Sequence, residues 1–292
     1  MLVFGLAAVL AGSGLALELA GYGGVELDPA AFAPEACVAY APTSGDRNET
    51  VFLDAGHGGI DPGGVGSTEA GQSVYESDVN LPIELGAMRL LRAEGFRVVL
   101  SRTRDSSVVR LRPGDLSGGA LSLQGAHDDV AARDLCANLA KAKVLVGIYM
   151  DAGSSSENAG SVAAYDADRP FAQANLRLAG LLQSDVLSAM NVQGWAIPDD
   201  GVVTDDSVGS YVGSPADGGI AAQAAAYGHL LLLGPAMPGF FSTPSRMPGA
   251  VIEPLYLSDP FEGSIASSRR GQHVIAAGIA RAVERFLAPP SR

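Results

Sequence analysis

His57 stands between glycines in Leu53-Asp54-Ala55-Gly56-His57-Gly58-Gly59, directly after the apolar run Val51-Phe52-Leu53. Its neighbours offer no side chains to bury it and the backbone is pliable, so the imidazole reads as a ligand or an acid–base group. Glu253 lies inside the apolar run Ala250-Val251-Ile252-Glu253-Pro254-Leu255. Charges are rarely buried there unless paired or bound to a metal. A carboxyl so placed tends toward a raised pKa and suits a general base; a buried structural ion pair is the alternative. Glu76 comes just before a helical pattern, and on its own terms it reads as a carboxylate at a helix N-terminus.

Other chemistries lack their motifs. The loop at 56–61 misses the third glycine of G-x-G-x-x-G, and neither G-x-x-x-x-G-K-[ST] nor G-x-S-x-G occurs. Cys37 and Cys136 form no C-x-x-C; in an exported protein they either pair or remain two buried thiols, and alone they cannot build a structural zinc site. A net charge of −13 excludes sequence-independent binding to nucleic acid, which rests on Lys and Arg neutralising phosphates.

These groups need a scaffold. Residues 51–54 read as a short buried strand, and the glycine-rich stretch 56–71 as an irregular loop. Ser77 or Asp78 can cap a helix to about Glu94, with Val79, Ile83, Leu90 and Leu91 on one stripe, Pro82 near the first turn and Gly95 as the stop. A strand at 96–100 then completes a crossover that implies parallel pairing. Further helices are expected at 128–141, 171–190 and 267–287, and strands at 144–149 and 161–165. Apolar runs at 229–233 and 250–257 are strand-like. Residues 197–219, with five aspartates, five glycines and two prolines, read as a long surface loop or a mobile lid.

The alternation predicts an α/β fold: one catalytic domain with a mostly parallel (mixed) central sheet and helices on both faces. Functional groups in such sheets collect beyond the carboxyl ends of strands, which singles out His57, Tyr149 with Asp151, and Glu253. Residues 1–17 carry no charge and include the small-x-small pattern Gly14-Leu15-Ala16. They read as a signal peptide or a short membrane anchor, and the protein as exported to the exterior, the cell envelope or the periplasm. Any membrane contact runs through that anchor. Residues 18–50 read as a linker or an irregular N-terminal segment.

Four stretches together resemble the zinc-dependent N-acetylmuramoyl-L-alanine amidases of bacterial cell walls. They are Leu53 through Gly59, Glu76-Ser77-Asp78-Val79-Asn80-Leu81, Phe96-Arg97-Val98-Val99-Leu100-Ser101-Arg102, and Pro248-Gly249-Ala250-Val251-Ile252-Glu253-Pro254-Leu255. The resemblance implies an amidase-like domain over 51–288 that hydrolyses the amide between N-acetylmuramic acid and the L-alanine of the stem peptide, with peptidoglycan as its partner. It also implies zinc (Zn) held by His57 and Glu76, with Glu253 as the catalytic glutamate. The third zinc ligand in that family lies in a motif like Ser-Ile-His-x-Asn, and this chain has Gly147-Ile148-Tyr149-Met150-Asp151. A neutral phenol is a poor ligand at pH 7. Asp151, two residues on and on the same face of an extended strand, is the expected replacement, with His127 and His229 as alternatives. The alternative function is a degenerate amidase-like protein that binds peptidoglycan or a wall partner without hydrolysis.

Overall fold

The computed structural model describes residues 23–208 and 219–289; the expected signal peptide or anchor at 1–17 lies outside them. Its main sheet holds β1 (Val25–Glu26), β2 (Ala36–Tyr40), β3 (Thr50–Ala55), β6 (Arg97–Arg102), β9 (Val144–Ile148), β10 (Ser161–Tyr165), β11 (Asp199–Thr204) and β12 (Gly249–Glu253). Their spatial order is β1-β2-β6-β3-β9-β12-β10-β11. The four central strands β6, β3, β9 and β12 run parallel, β2 and β10 pair antiparallel to them at either side, and β11 runs parallel to β10. Two hairpins complete the strands: β4 (Val65–Ser67) with β5 (Ser73–Tyr75), and β7 (Leu116–Ser117) with β8 (Ala120–Leu121). The expected mixed α/β sheet is therefore present.

Strand alternation sorts the core into two layers. Val51, Leu53, Val144, Val146, Ile148, Ala250 and Ile252 face helices α1 (Glu76–Ala93), α3 (Ala172–Asn191) and α6 (Arg269–Leu287). Phe52, Leu145 and Val251 face the other way, against Ala132, Cys136 and Ala137 of α2 (Leu123–Leu139) and against Leu232, Leu233 and Met247. Two short helices, α4 (Gly219–Tyr227) and α5 (Pro260–Ser267), complete the α-helices among the described residues.

Several expectations are corrected. The 18–50 segment is not simply a linker, because β2 pairs with β6 and Cys37 is bonded to Cys136. The 197–219 stretch begins as the edge strand β11; residues 209–218 lie outside the described ones. The apolar run at 229–233 forms turns instead of a strand, since Leu232 and Leu233 are buried beneath the sheet without joining it. Helix α1 starts at Glu76, so Pro82 falls in the second turn, where it leaves the carbonyl of Asp78 without its helical donor.

Candidate functional site

Beyond Ala55, at the carboxyl end of β3, the chain turns through Gly56 into His57, whose φ of +59° is left-handed. Two buried arginines hold this turn. Arg133 of α2 pairs with Asp54 (2.6 Å) and Asp129 (2.8 Å) and donates to the carbonyls of Ala55 (2.8 Å) and His57 (2.9 Å). Arg102, at the end of β6, donates to the carbonyls of Ala55 (3.1 Å), Gly56 (3.2 Å) and Ser77 (2.8 Å). Buried guanidinium groups with this many acceptors fix the backbone around them. The imidazole is thereby aimed between two carboxylates, with Nδ1 2.8 Å from Asp61 Oδ2 and Nε2 3.2 Å from Glu76 Oε2. Burial by itself would push the imidazole pKa down; the charge of Glu76, then the hydrogen bonds to Asp61 and Glu76, push it up to about 10.

Glu76 opens α1 but turns its carboxylate into the site instead of capping the helix. Oε1 accepts from the amide of Met150 (3.0 Å) and the Asn80 side chain (3.3 Å), and Oε2 accepts from the amide of Gly64 (2.8 Å). Burial works to raise its pKa; the His57 charge, with these amide hydrogen bonds, prevails and holds it below the usual glutamate range. Gly63, at φ +69°, is required here, because a Cβ would fall 2.6 Å from both Glu76 Oε2 and His57 Cδ2. Glu253 ends β12 on the same side, its pKa raised to about 8 by burial and then by the charges of Asp151 and Glu76, with His57 opposing. The structure thus brings His57, Glu76, Asp151 and Glu253 to one end of the sheet.

At the third position the Tyr149 ring stands edge-on to His57, with centroids 5.5 Å apart, and its hydroxyl donates to Asp54 (3.1 Å). Only glycine fits at 56, since a Cβ there would collide with that ring. Burial and the Asp54 charge push the phenol well above its usual range, so it stays neutral at pH 7. Asp151 bridges to the backbone of Tyr256, and after burial its charge pushes the Tyr256 phenol pKa up. His127 packs on Phe240, 4.8 Å between ring centroids, beside Asp128, and His229 meets Asp166 and Asp205. Neither histidine is brought to His57. Among the described residues one trio of metal-binding side chains gathers a donor atom each within 4.8 Å of the others, and it is Asp166, Asp205 and His229.

Sequence reasoning missed Asp61, Asp54, Arg102 and Arg133. Asp61 had a signal, a carboxylate four residues after the histidine in the same loop. Arg133 had none, because the groups it holds at the His57 turn lie 76 to 79 residues away in the chain.

A histidine and two glutamates gather beyond the carboxyl ends of a parallel sheet, where sites of open α/β sheets lie. Residues 51–285 match the N-acetylmuramoyl-L-alanine amidase family, and the chain belongs to that family. Its fold is similar to the CwlD amidase from Clostridioides difficile, solved in complex with the GerS lipoprotein (22% identity, 82% of this chain and 98% of that one, TM-score 0.59). It is also similar to an N-acetylmuramoyl-L-alanine amidase from Clostridium difficile 630 (25%, 82% and 96%, 0.54) and to AmiC2 of Nostoc punctiforme (22%, 83% and 99%, 0.55). A curated relative, the uncharacterized protein YqiI of Bacillus subtilis, is 39% identical over 59 residues, 20% of this chain, and the match spans 26% of that relative's length.

Proposed function

We propose that this chain hydrolyses the amide between N-acetylmuramic acid and the L-alanine of the stem peptide in peptidoglycan. The observation that carries this reading is the placement of Glu253, a carboxyl with a pKa near 8 beside the charges of Asp151, Glu76 and His57. In this reading Glu253 takes a proton from the attacking water as the C–O bond forms. It then gives that proton to the alanine nitrogen as the C–N bond breaks, leaving a lactyl carboxylate and a free amine.

Family membership implies zinc, and the residues fit it in part. Two donors about 2.0 Å from a tetrahedral ion lie roughly 3.3 Å apart, and His57 Nε2 and Glu76 Oε2 are 3.2 Å apart. Asp61 holds the other ring nitrogen, as carboxylates behind ligand histidines do. The third arm does not fit, because the Tyr149 hydroxyl is engaged by Asp54. Zinc, when bound, supplies Lewis acidity toward the scissile carbonyl and the water. Orienting His57 falls to Asp61 and Arg133, and proton transfer to Glu253.

The expected outcome is that purified protein with zinc releases stem peptides from muropeptides, read by mass spectrometry. Glu253→Ala should slow release at least about 100-fold. No release with zinc in excess overturns the reading. A second reading, binding to the wall without hydrolysis, is favoured by the engaged, neutral Tyr149. Under it the wild type binds sacculi without turnover, and Tyr149→His gains zinc and release. Under the first reading Tyr149→His raises zinc affinity roughly tenfold or more in an enzyme already active.

Export is part of the proposal. It is supported by the Cys37–Cys136 disulfide, a bond that persists in oxidising compartments. No helix among the described residues is long and apolar enough to cross a membrane.

A further inference from the structure

At the far end of the sheet, three side chains meet that the amide chemistry does not use. Asp166 follows β10, Asp205 follows β11, and His229 lies in the turn after α4. Val162 of β10 pairs with Glu253, and Asp166 lies four residues beyond Val162 on an antiparallel strand, roughly 13 Å away along the sheet. The cluster is therefore distinct from the His57 and Glu76 end.

Each of the two aspartates has one carboxylate oxygen held by a backbone amide and the other turned toward His229. Asp166 Oδ1 accepts the amide of Asp168 (2.7 Å), while Oδ2 is buried without a hydrogen-bond partner. Asp166 is 0% exposed. Asp205, also buried, accepts the amide of Leu230 on Oδ2 (3.0 Å) and turns Oδ1 toward His229. His229 Nδ1 lies 3.1 Å from Asp166 Oδ2 and 3.4 Å from Asp205 Oδ1, and its Nε2 faces the exposed Asp168 carboxylate at 3.8 Å. The nearby cation, Arg169, directs its guanidinium to the carbonyls of Leu233, Gly234 and Ser245. A single Nδ1–H cannot satisfy two buried carboxylates, and an orphaned buried oxygen is costly. Both Nδ1 to oxygen separations match the roughly 3.3 Å edge of a tetrahedral zinc shell.

We propose that Asp166, Asp205 and His229 form a second, structural cation site, taking a zinc-class divalent ion through one oxygen of each aspartate and Nδ1 of His229. The ion clamps the turn after α4 to the carboxyl ends of β10 and β11. Asp168 sets a carboxylate 3.8 Å from Nε2, on the side of the ring away from the ion. Two oxygens and one imidazole suit zinc better than calcium or magnesium, which prefer all-oxygen shells.

The test uses the full chain carrying His57→Ala and Glu76→Gln, so that the other end cannot hold the ion, and Zn²⁺ as the probe. Titration calorimetry should give one ion per chain. At 100-fold over Kd, zinc should raise the melting temperature by about 5 °C. His229→Gln or Asp205→Asn added to that background should weaken binding at least about 100-fold and remove the shift. Absence of binding in the background protein, or binding unchanged by His229→Gln, overturns the proposal. If those added variants fail to fold, zinc X-ray absorption of the background protein decides. A shell of one imidazole nitrogen with oxygens supports the site, and a shell without imidazole overturns it.

Discussion

Glu84 of α1 is fully buried, accepting the Ala55 amide (3.1 Å) and the Ser101 hydroxyl (3.4 Å) on one oxygen while the other oxygen has no partner. Burial raises its pKa to about 8, against the opposing charge of Arg102. A carboxyl with a folded pKa above its unfolded 4.5 favours folding most when protonated in both states. That contribution is full below pH 4.5 and is lost as pH rises through about 8. Unfolding free energy should fall across this window with a slope of at most about 1.4 kcal/mol per pH unit from this one group. Glu84→Gln keeps the acceptor without the charge and should flatten the profile in urea unfolding between pH 5 and 8; an unchanged slope rejects the assignment. Tyr149 teaches the same lesson at the site, since its departure from histidine is visible in the sequence, but its bond to Asp54 is not. The hydroxyl's partner was set by a strand 95 residues earlier.

At the scale of elements, legibility followed local pattern. Strands β9 and β10 and helices α1, α3 and α6 were readable because their apolar periodicity is local and strong. The His57 loop was readable because glycines mark backbone that side chains disfavour. What failed was decided by distant partners. Strand β2 hides in a Gly, Ala and Pro-rich segment and becomes a strand by pairing with β6. Strand β11 begins with two aspartates, yet it is held at the sheet edge by β10, with Asp199 also accepting from Gln183 (2.7 Å). The leucines at 230–233 looked like a strand because burial, and not pairing, is what their composition reports. The same limit hid the second cluster. Asp166, Asp205 and His229 are far apart in the chain and meet only because β10 and β11 are parallel neighbours.

At the scale of the whole molecule, the family match begins at residue 51, so the β1–β2 edge of the sheet lies outside the matched residues. Two things attach it: the antiparallel ladder from β2 to β6, and the Cys37–Cys136 bond to α2 on the sheet's face, which closes a loop of 99 residues. Cys37 and Cys136 are both fully buried in one apolar layer with Phe32, Phe52 and Val99. Chain-entropy reasoning for a loop of this length gives about 4 to 5 kcal/mol, within a usual range of 2–5 for native bonds. Replacing both cysteines by serine should therefore lower the unfolding free energy in urea by about 2 to 5 kcal/mol. The loss should also be uneven. Native-state hydrogen exchange should quicken most at residues 36–40, whose ladder holds that edge, and least at β3 and β9, which are covered on both faces. A stability change under about 0.5 kcal/mol, or exchange that quickens equally in β2 and β9, would show that the edge is held by its ladder alone and that the bond is incidental to the fold.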